Sequence, residues 1–394
     1  MNPVIIIGSG LAGYTLAREF RKLNKAAPLL IVTADDGGFY SKPMLSNAFA
    51  QGKQAAELFT QPAAQMAEQL GVTILSGVRV ESVDTGAMTV TTSAGVFAYD
   101  KLVLAVGAQP IRLAIDGNAA DAVMSVNHID DYQHFRQRIA VSGPRARITI
   151  LGAGLIGCEF ADDLAGAGHH VNLVDPSKAP LAALAPPALS QGLRSALEAR
   201  GVDLRLGTSA VRIDQAQGGL MVSLADGSMF EADVVLSAVG LRPDLRLAQE
   251  ANLATARGVV VDAFGKSSAP HVYALGDCAE YVTDDNGGRV LPYIAPLMTA
   301  ARAIARTLDG QPTAIELKAT PVIVKTPSFP LALLPPSPQA AASGTWRATS
   351  FGEHIVCRFH DENGCMRGFG VAPHDAKIRQ TLLAELGSMM ASAA

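Results

Sequence analysis

An apolar strand running into a glycine turn and then a helix occurs twice in this chain. Ile5-Ile6-Ile7 leads into Gly8-Ser9-Gly10-Leu11-Ala12-Gly13, and Ile148-Thr149-Ile150-Leu151 leads into Gly152-Ala153-Gly154-Leu155-Ile156-Gly157, with identical glycine spacing. In this pattern the first glycine permits a tight turn, the second lets the backbone approach a pyrophosphate, and the third packs helix against strand. The helix that follows turns free N–H groups and a partial positive end toward the phosphates. A lone motif of this kind fits many activities, and a glycine-rich strand-helix turn without a ligand is its bland reading. Two copies in one chain argue for two dinucleotide sites, and a protein holding two dinucleotides passes electrons between them.

Each copy continues into a complete βαβ half. The first runs through a helical pattern at Tyr14–Leu23 into the strand Leu29-Leu30-Ile31-Val32 and reaches Asp35; the second runs from Cys158 to Ala165, breaks at Gly166 and Gly168, and reaches Asp175 through Val171–Val174. Each acid lies about 20 positions after its third glycine, the interval at which a carboxylate accepts from an adenosine ribose. Asp175 accepts from a 2′-hydroxyl and repels a 2′-phosphate, so NADH is preferred to NADPH; Lys178 nearby softens that repulsion.

Two further apolar runs end in glycine, Leu102–Ala108 and Val234–Leu241, and suit strands covered on both faces of a sheet. They read as the chain leaving and re-entering a first domain. The expected organisation is an α/β protein with residues 1–110 and 239–318 forming the first dinucleotide-binding domain, 111–238 inserted as the second, and 319–394 forming a small C-terminal domain. A strand is expected at Val272–Leu275, a helix at Pro296–Leu308, a strand at Val322–Lys325 and a closing helix at Ala376–Met390. Prolines 327, 330, 335, 336 and 338 are expected to hold the intervening chain extended and to forbid a helix there.

Bulk properties exclude several classes. The 394 residues leave room for two or three domains of about 150 residues each. With 49% hydrophobic and 17% charged residues the chain fills several cores. A formal charge of −4 gives no global attraction to nucleic acid or an anionic membrane. No apolar run approaches the roughly 18 residues of a membrane span. Met1 runs almost directly into the first strand, so no leader peptide is expected. Cys158, Cys278, Cys357 and Cys365 show neither CxxC nor metal-ligand spacing, so no metal site is expected, and the thiols fit a reducing cytoplasm. Cys158 reads as a packed thiol. With no internal thiol relay, electrons leave for an external acceptor.

Several blocks together resemble the two-dinucleotide-binding-domain flavoprotein reductases, and within them the rubredoxin and flavorubredoxin reductase branch. They are Gly8–Gly13, Tyr40-Ser41-Lys42-Pro43-Met44-Leu45-Ser46, Gly152–Glu159, Leu241-Arg242-Pro243, Ala274-Leu275-Gly276-Asp277-Cys278-Ala279-Glu280 and Val324-Lys325-Thr326-Pro327, in the family's order over nearly the whole length. The resemblance implies two Rossmann-like domains plus a small α+β C-terminal domain. It implies FAD at the first site, held by Gly8, Ser9, Gly10, Leu11, Ala12, Gly13, Ala34, Asp35, Lys42, Pro43, Val80, Ala105, Gly107, Gly276, Asp277, Tyr293, Ile294 and Lys325. It implies NADH as substrate at the second, held by Gly152, Gly154, Leu155, Ile156, Gly157, Glu159, Asp175 and Gly240. Lys42 and Glu159 are the implied catalytic residues, beside the flavin and the nicotinamide.

Two opposite charges brought into one closed site must pair or stay partly solvated, so Lys42 and Glu159 are expected to couple. Taken singly, Lys42 reads as a loop lysine, Glu159 as an acid placed by its helix dipole, and Asp277 as a turn or helix cap. Arg302 and Arg306 share one helix face and read either as a landing area for an acidic carrier or as solvated charges. The implied acceptor is rubredoxin or a similar small iron-sulfur protein. A flavorubredoxin or oxygenase-ferredoxin reductase, an NADH oxidase and a non-enzymatic flavin redox sensor are the other readings.

Overall fold

The computed structural model describes residues 1–282 and 287–389. In chain order the elements that matter here are β1 (Val4–Ile7), α1 (Leu11–Leu23), β2 (Leu29–Val32), β3 (Thr73–Leu75), β4 (Lys101–Leu104), β5 (Arg147–Leu151), α2 (Leu155–Gly166), β6 (His170–Asp175), α3 (Pro187–Ala199), β7 (Asp203–Leu206), β8 (Val234–Ser237), β9 (Val272–Ala274) and α4 (Ile294–Leu308). They continue as β10 (Val322–Val324), β11 (Leu331–Leu334), α5 (Pro338–Ala341), β12 (Thr345–Phe351), β13 (His354–His360), β14 (Met366–Ala372) and α6 (Ala376–Glu385). The chain divides into two compact units. One comprises Met1–Lys42, Ala56–Gln109 and Leu241–Lys318; the other comprises Pro43–Ala55, Pro110–Gly240 and Ala319–Ala394.

The first unit is built on a five-stranded sheet in the order β9-β4-β1-β2-β3. Its paired strands run parallel. β1 and β2 are buried along their whole length, as strands covered on both faces must be. Parallel strands cannot be joined by a tight hairpin, so α1 makes the crossover from β1 to β2. α1 buries Tyr14, Leu16, Ala17 and Phe20, and packs against α4, which buries Leu297, Ala300, Ala301 and Ile304. α4 starts at Ile294, two residues before the expected Pro296, because proline fits the first turn of a helix, where its missing N–H has no partner to lose.

The second unit repeats the arrangement as a four-stranded sheet, β7-β6-β5-β8, again parallel. Its C-terminal part is a five-stranded antiparallel sheet, β10-β11-β14-β13-β12. α3 packs directly onto that sheet, with Leu189 lying against Gly370 and the Phe329 ring against Gly192.

The expectation that prolines 327 to 338 forbid a helix is corrected by α5. Pro338 occupies its first turn, where a proline costs no hydrogen bond, and Ser337 caps it by accepting from Ala340 N at 3.3 Å. α6 ends at Glu385 rather than Met390; Gly387, at φ +81°, turns the chain back, and Met390 lies outside the described residues. No helix among the described residues is long and apolar enough to cross a membrane.

Candidate nucleotide sites and the residues around them

The glycine loops of the two units match position by position. A Cβ at Gly13 would meet Gly8 O at 2.0 Å, and one at Gly157 would meet Gly152 O at 1.8 Å. Helix and turn therefore touch through backbone alone at both places. Gly8 (φ +110°) and Gly152 (φ +107°) press in the same way on Ala105 O and Ala238 O. Each donates its N–H to the end of the second strand, Gly8 to Val32 O at 2.9 Å and Gly152 to Val174 O at 2.7 Å. Gly10 and Gly154 differ from the rest: both are exposed, and a Cβ added to either meets nothing within 4 Å. They are also the N-cap residues of α1 and α2, and neither helix has a side-chain cap. Uncapped N–H groups beside an open cradle are what a pyrophosphate requires, so the chain's own geometry fits a dinucleotide at each loop.

The two acids brace the loops they were expected to complete. Asp35 Oδ1 accepts from Thr33 Oγ1 at 2.6 Å and Gly37 N at 2.9 Å, with Ser9 Oγ at 2.9 Å. Asp175 accepts from Ala153 N and Ser177 N, each at 2.7 Å. Thr33 and Tyr14 escaped the sequence reading. The Tyr14 hydroxyl donates to Gly37 O and holds the turn after Asp35, and burial with the nearby Asp35 charge pushes its phenol up to about 12. A small polar residue closing β2 was the available signal for Thr33.

Elsewhere in the first unit, Ala105 is buried and donates to Ile7 O, Val80 is buried with its carbonyl accepting from Arg246 Nη2 at 2.9 Å, and Gly107 sits at φ +73°. Ala34 is exposed, and Leu11 and Ala12 are half-buried. Gly276 (φ +76°) approaches α1 so closely that a Cβ would lie 2.9 Å from Ala12 Cβ. Only glycine combines that backbone with that contact. Burial raises the Asp277 carboxyl, and the Lys42 ammonium draws it partly back. Tyr293 is the N-cap residue of α4, its phenol raised by burial, and Ile294 beside it is half exposed. A partly buried acid, a lysine and an uncapped helix start thus occur in one unit with the first glycine loop.

In the second unit Leu155 is half-buried, Ile156 is exposed, and Gly240 takes φ +107° with its carbonyl accepting from Ile111 N. Glu159 is 3% exposed, and Lys325 is an ion-pair partner, at 3.2 Å. The sequence reading paired Glu159 with Lys42 and did not foresee Lys325 as a partner. The segment Pro43–Ala55 belongs to the second unit although residues on both sides of it belong to the first. Lys325 Nζ is also bonded to Asn47 Oδ1 at 2.9 Å and to Pro43 O, so all three ammonium protons have protein acceptors. Ser46 Oγ donates to Glu159, and Lys325 N donates to Glu159 Oε1 at 2.9 Å.

The four cysteines are free and buried. Burial pushes the Cys278 and Cys357 thiols up to about 11 and the Cys158 thiol further still. The Sγ atoms of Cys158 and Cys278 donate to backbone carbonyls at 3.4 Å. Such thiols stay protonated and unreactive at neutral pH. No cluster of three or more metal-ligating side chains occurs among the described residues.

Comparison with known proteins agrees with this layout. Residues 314–386 match a rubredoxin binding C-terminal domain. The chain is 41% identical to a rubredoxin-NAD(+) reductase of Alcanivorax borkumensis over 99% of its own length and 100% of that protein's. It is 39% identical to a nitric oxide reductase FlRd-NAD(+) reductase of Aeromonas salmonicida, covering 98% and 96% of the two chains. In fold it is similar to putidaredoxin reductase in its covalent complex with putidaredoxin (TM-score 0.87, 22% identity, 98% and 94% coverage). Residues 2–305, which hold both glycine loops, match the pyridine nucleotide-disulphide oxidoreductase model, and the chain belongs to that family.

Proposed function

We propose that this chain is an NADH-dependent FAD oxidoreductase that takes hydride from NADH and passes single electrons to rubredoxin. Two cradles with uncapped helix starts and bracing acids support a pair of dinucleotides in one chain. The observation that carries the choice of acceptor is the rubredoxin-binding match at residues 314–386, joined to about 40% identity with rubredoxin reductases over nearly the full length. The proposed division of labour is FAD on residues 1–110 and 239–318, NADH on 111–238, and the carrier on 319–394. Four unpaired thiols fit a reducing compartment, and the cytoplasm is the proposed location.

Bound FAD supplies acceptance of two electrons together and their release one at a time. The chain's own contribution is placement, because the cofactor carries the chemistry. Gly8–Gly13 and the start of α1 would hold the FAD pyrophosphate, Asp35 the adenosine ribose, and Asp277 the ribityl hydroxyls. Lys42, whose charge reaches Asp277, would offset negative charge gathering nearby. Tyr293 and Ile294 open α4, whose N-terminus favours negative charge. Gly152–Gly157 and Asp175 would hold NADH, with Glu159 one turn into the same helix. Hydride transfer needs no proton from the protein, so no triad is invoked. Without a cysteine pair, electrons go directly to the carrier.

Steady-state reduction of rubredoxin, flavorubredoxin, a ferredoxin, oxygen and a protein disulfide by the FAD-loaded enzyme with NADH tests this reading. Rubredoxin is expected to be reduced fastest. Reduction of the disulfide with rubredoxin left oxidised would overturn it.

A further inference from the structure

Helix α2 carries three buried acids within five residues, Glu159, Asp162 and Asp163, and the mechanism above uses only the first. Each accepts a backbone N–H from outside its own helix. Glu159 takes Lys325 N at 2.9 Å, Asp162 takes Ser328 N at 2.9 Å, and Asp163 takes Phe49 N at 2.8 Å and Ala50 N at 3.0 Å through its two separate oxygens. Asp162 is completely buried, with Arg200 Nε 3.0 Å from its other oxygen. The two segments held in this way also supply the other partners of the Glu159–Lys325 pair. Ser46 donates to Glu159, and Pro43 O and Asn47 Oδ1 receive the lysine ammonium. Asn47 Nδ2 donates in return to Lys325 O at 2.7 Å.

Packing alone would not place acids here. A buried carboxylate costs several kcal/mol unless its oxygens are bonded, and an apolar residue of the same size is often the more stable choice. Burial raises the Asp163 carboxyl, and the Phe49 and Ala50 amides oppose that shift. Geometry accounts for the acids. The stretch Lys42–Gln54 contains a 3-10 turn, Lys42–Asn47, and no strand, so side-chain bonds rather than a ladder set its path. Asp163 holds it two to four residues beyond Ser46 and Asn47.

We propose that Asp163 is a positioning residue for the Glu159–Lys325 ion pair, anchoring the turn that presents Ser46 and Asn47 to it, while Asp162 anchors the Lys325–Ser328 stretch. The inference rests on the functional reading above and deepens it. Lys325 keeps a third of its side chain exposed, so a reagent reaches it; the three acceptors on its ammonium suppress its reactivity.

The test uses the FAD-loaded full chain with Asp163→Asn, which keeps the size and one acceptor, and with Asp163→Ala. Acetylation of Lys325 by acetic anhydride, followed by mass spectrometry, is expected to quicken about tenfold in Asp163→Asn as the clasp loosens, and more in Asp163→Ala. Flavin reduction by NADH is expected to slow about tenfold while the NADH dissociation constant stays within about threefold. In a Ser46→Ala, Asn47→Ala background, Asp163→Asn is expected to add less than about twofold to either effect. Unchanged Lys325 labelling, or effects that multiply fully in that background, would overturn the proposal. Asn47→Ala alone exposes the ammonium without touching Asp163, and unchanged labelling there would overturn it even if neither Asp163 variant folds. Labelling needs no turnover, so a wild-type flavin that NADH fails to reduce would defeat the functional reading while the clasp is judged separately.

Discussion

At the scale of the residue, the second and third glycines of each loop do opposite jobs, and substitution separates them. Alanine at Gly154 meets open space at an ordinary φ of −78°, so it should cost the folded chain about 1 kcal/mol or less. Its methyl fills the cradle, and NADH binding should weaken about tenfold or more. Alanine at Gly157 collides with Gly152 O and should cost stability first, about 1–3 kcal/mol. Thermal melts paired with NADH titrations distinguish the two, and a Gly154→Ala chain that binds NADH normally would contradict the cradle. Asp277 offers a test with pH. Burial raises its carboxyl, so the folded chain holds that proton more tightly than the unfolded one; its favourable contribution is full below the ordinary carboxylate range and is lost as pH rises through the raised value. Flavin-free Asp277→Asn should therefore melt higher than wild type at neutral pH. The gap should close below about pH 4, and FAD should bind the variant more weakly. The glycines and both bracing acids were legible because their spacing is fixed by the ligand they serve. Lys325 as a partner of Glu159 was not legible, because that pairing depends on where a turn from another part of the chain comes to rest.

At the scale of the element, apolar periodicity located β1, β2, β4, β5, β6, β8 and β9 and the helices α1 and α2 to within a few residues, and left β3, α3 and β7 unseen. It failed where local chemistry sets the boundary: Pro296 lies within the first turn of α4, Pro338 opens α5, and Gly387 reverses the chain after α6. The excursion Pro43–Ala55 was invisible for a different reason, since it follows no period and is held by Asp163, Glu159 and Lys325 rather than by a ladder. Helix α4 carries the electrostatic prediction. Arg302 and Arg306 are both exposed on it, one turn apart, and Arg302 Nε lies 4.0 Å from Glu19 of α1, which Lys22 also engages. One carboxylate thus faces two of these cations. Changing both arginines to glutamate should lower the rubredoxin association rate about tenfold at low salt, with the difference vanishing as salt screens it. An unchanged rate would remove α4 from the docking surface.

At the scale of the whole molecule, the sequence doubles a single device, and each compact unit contains one copy on its own parallel sheet. The rest of the design follows from what lies between donor and acceptor. NADH gives electrons in pairs, rubredoxin takes them singly, and the four cysteines are unpaired and buried, with Cys158, Cys278 and Cys357 held protonated by burial, so no thiol relay operates inside the chain. Conversion between the two regimes falls to the flavin, and the protein's task is to hold the nucleotides and admit the carrier. Anaerobic titration of the purified yellow protein with NADH, followed in the visible spectrum and then mixed with oxidised rubredoxin, tests this directly. One NADH should bleach one flavin, and each bleached flavin should then reduce two rubredoxins as its colour returns. A colourless protein that no flavin restores, or a reduced flavin that leaves rubredoxin oxidised, would contradict the account.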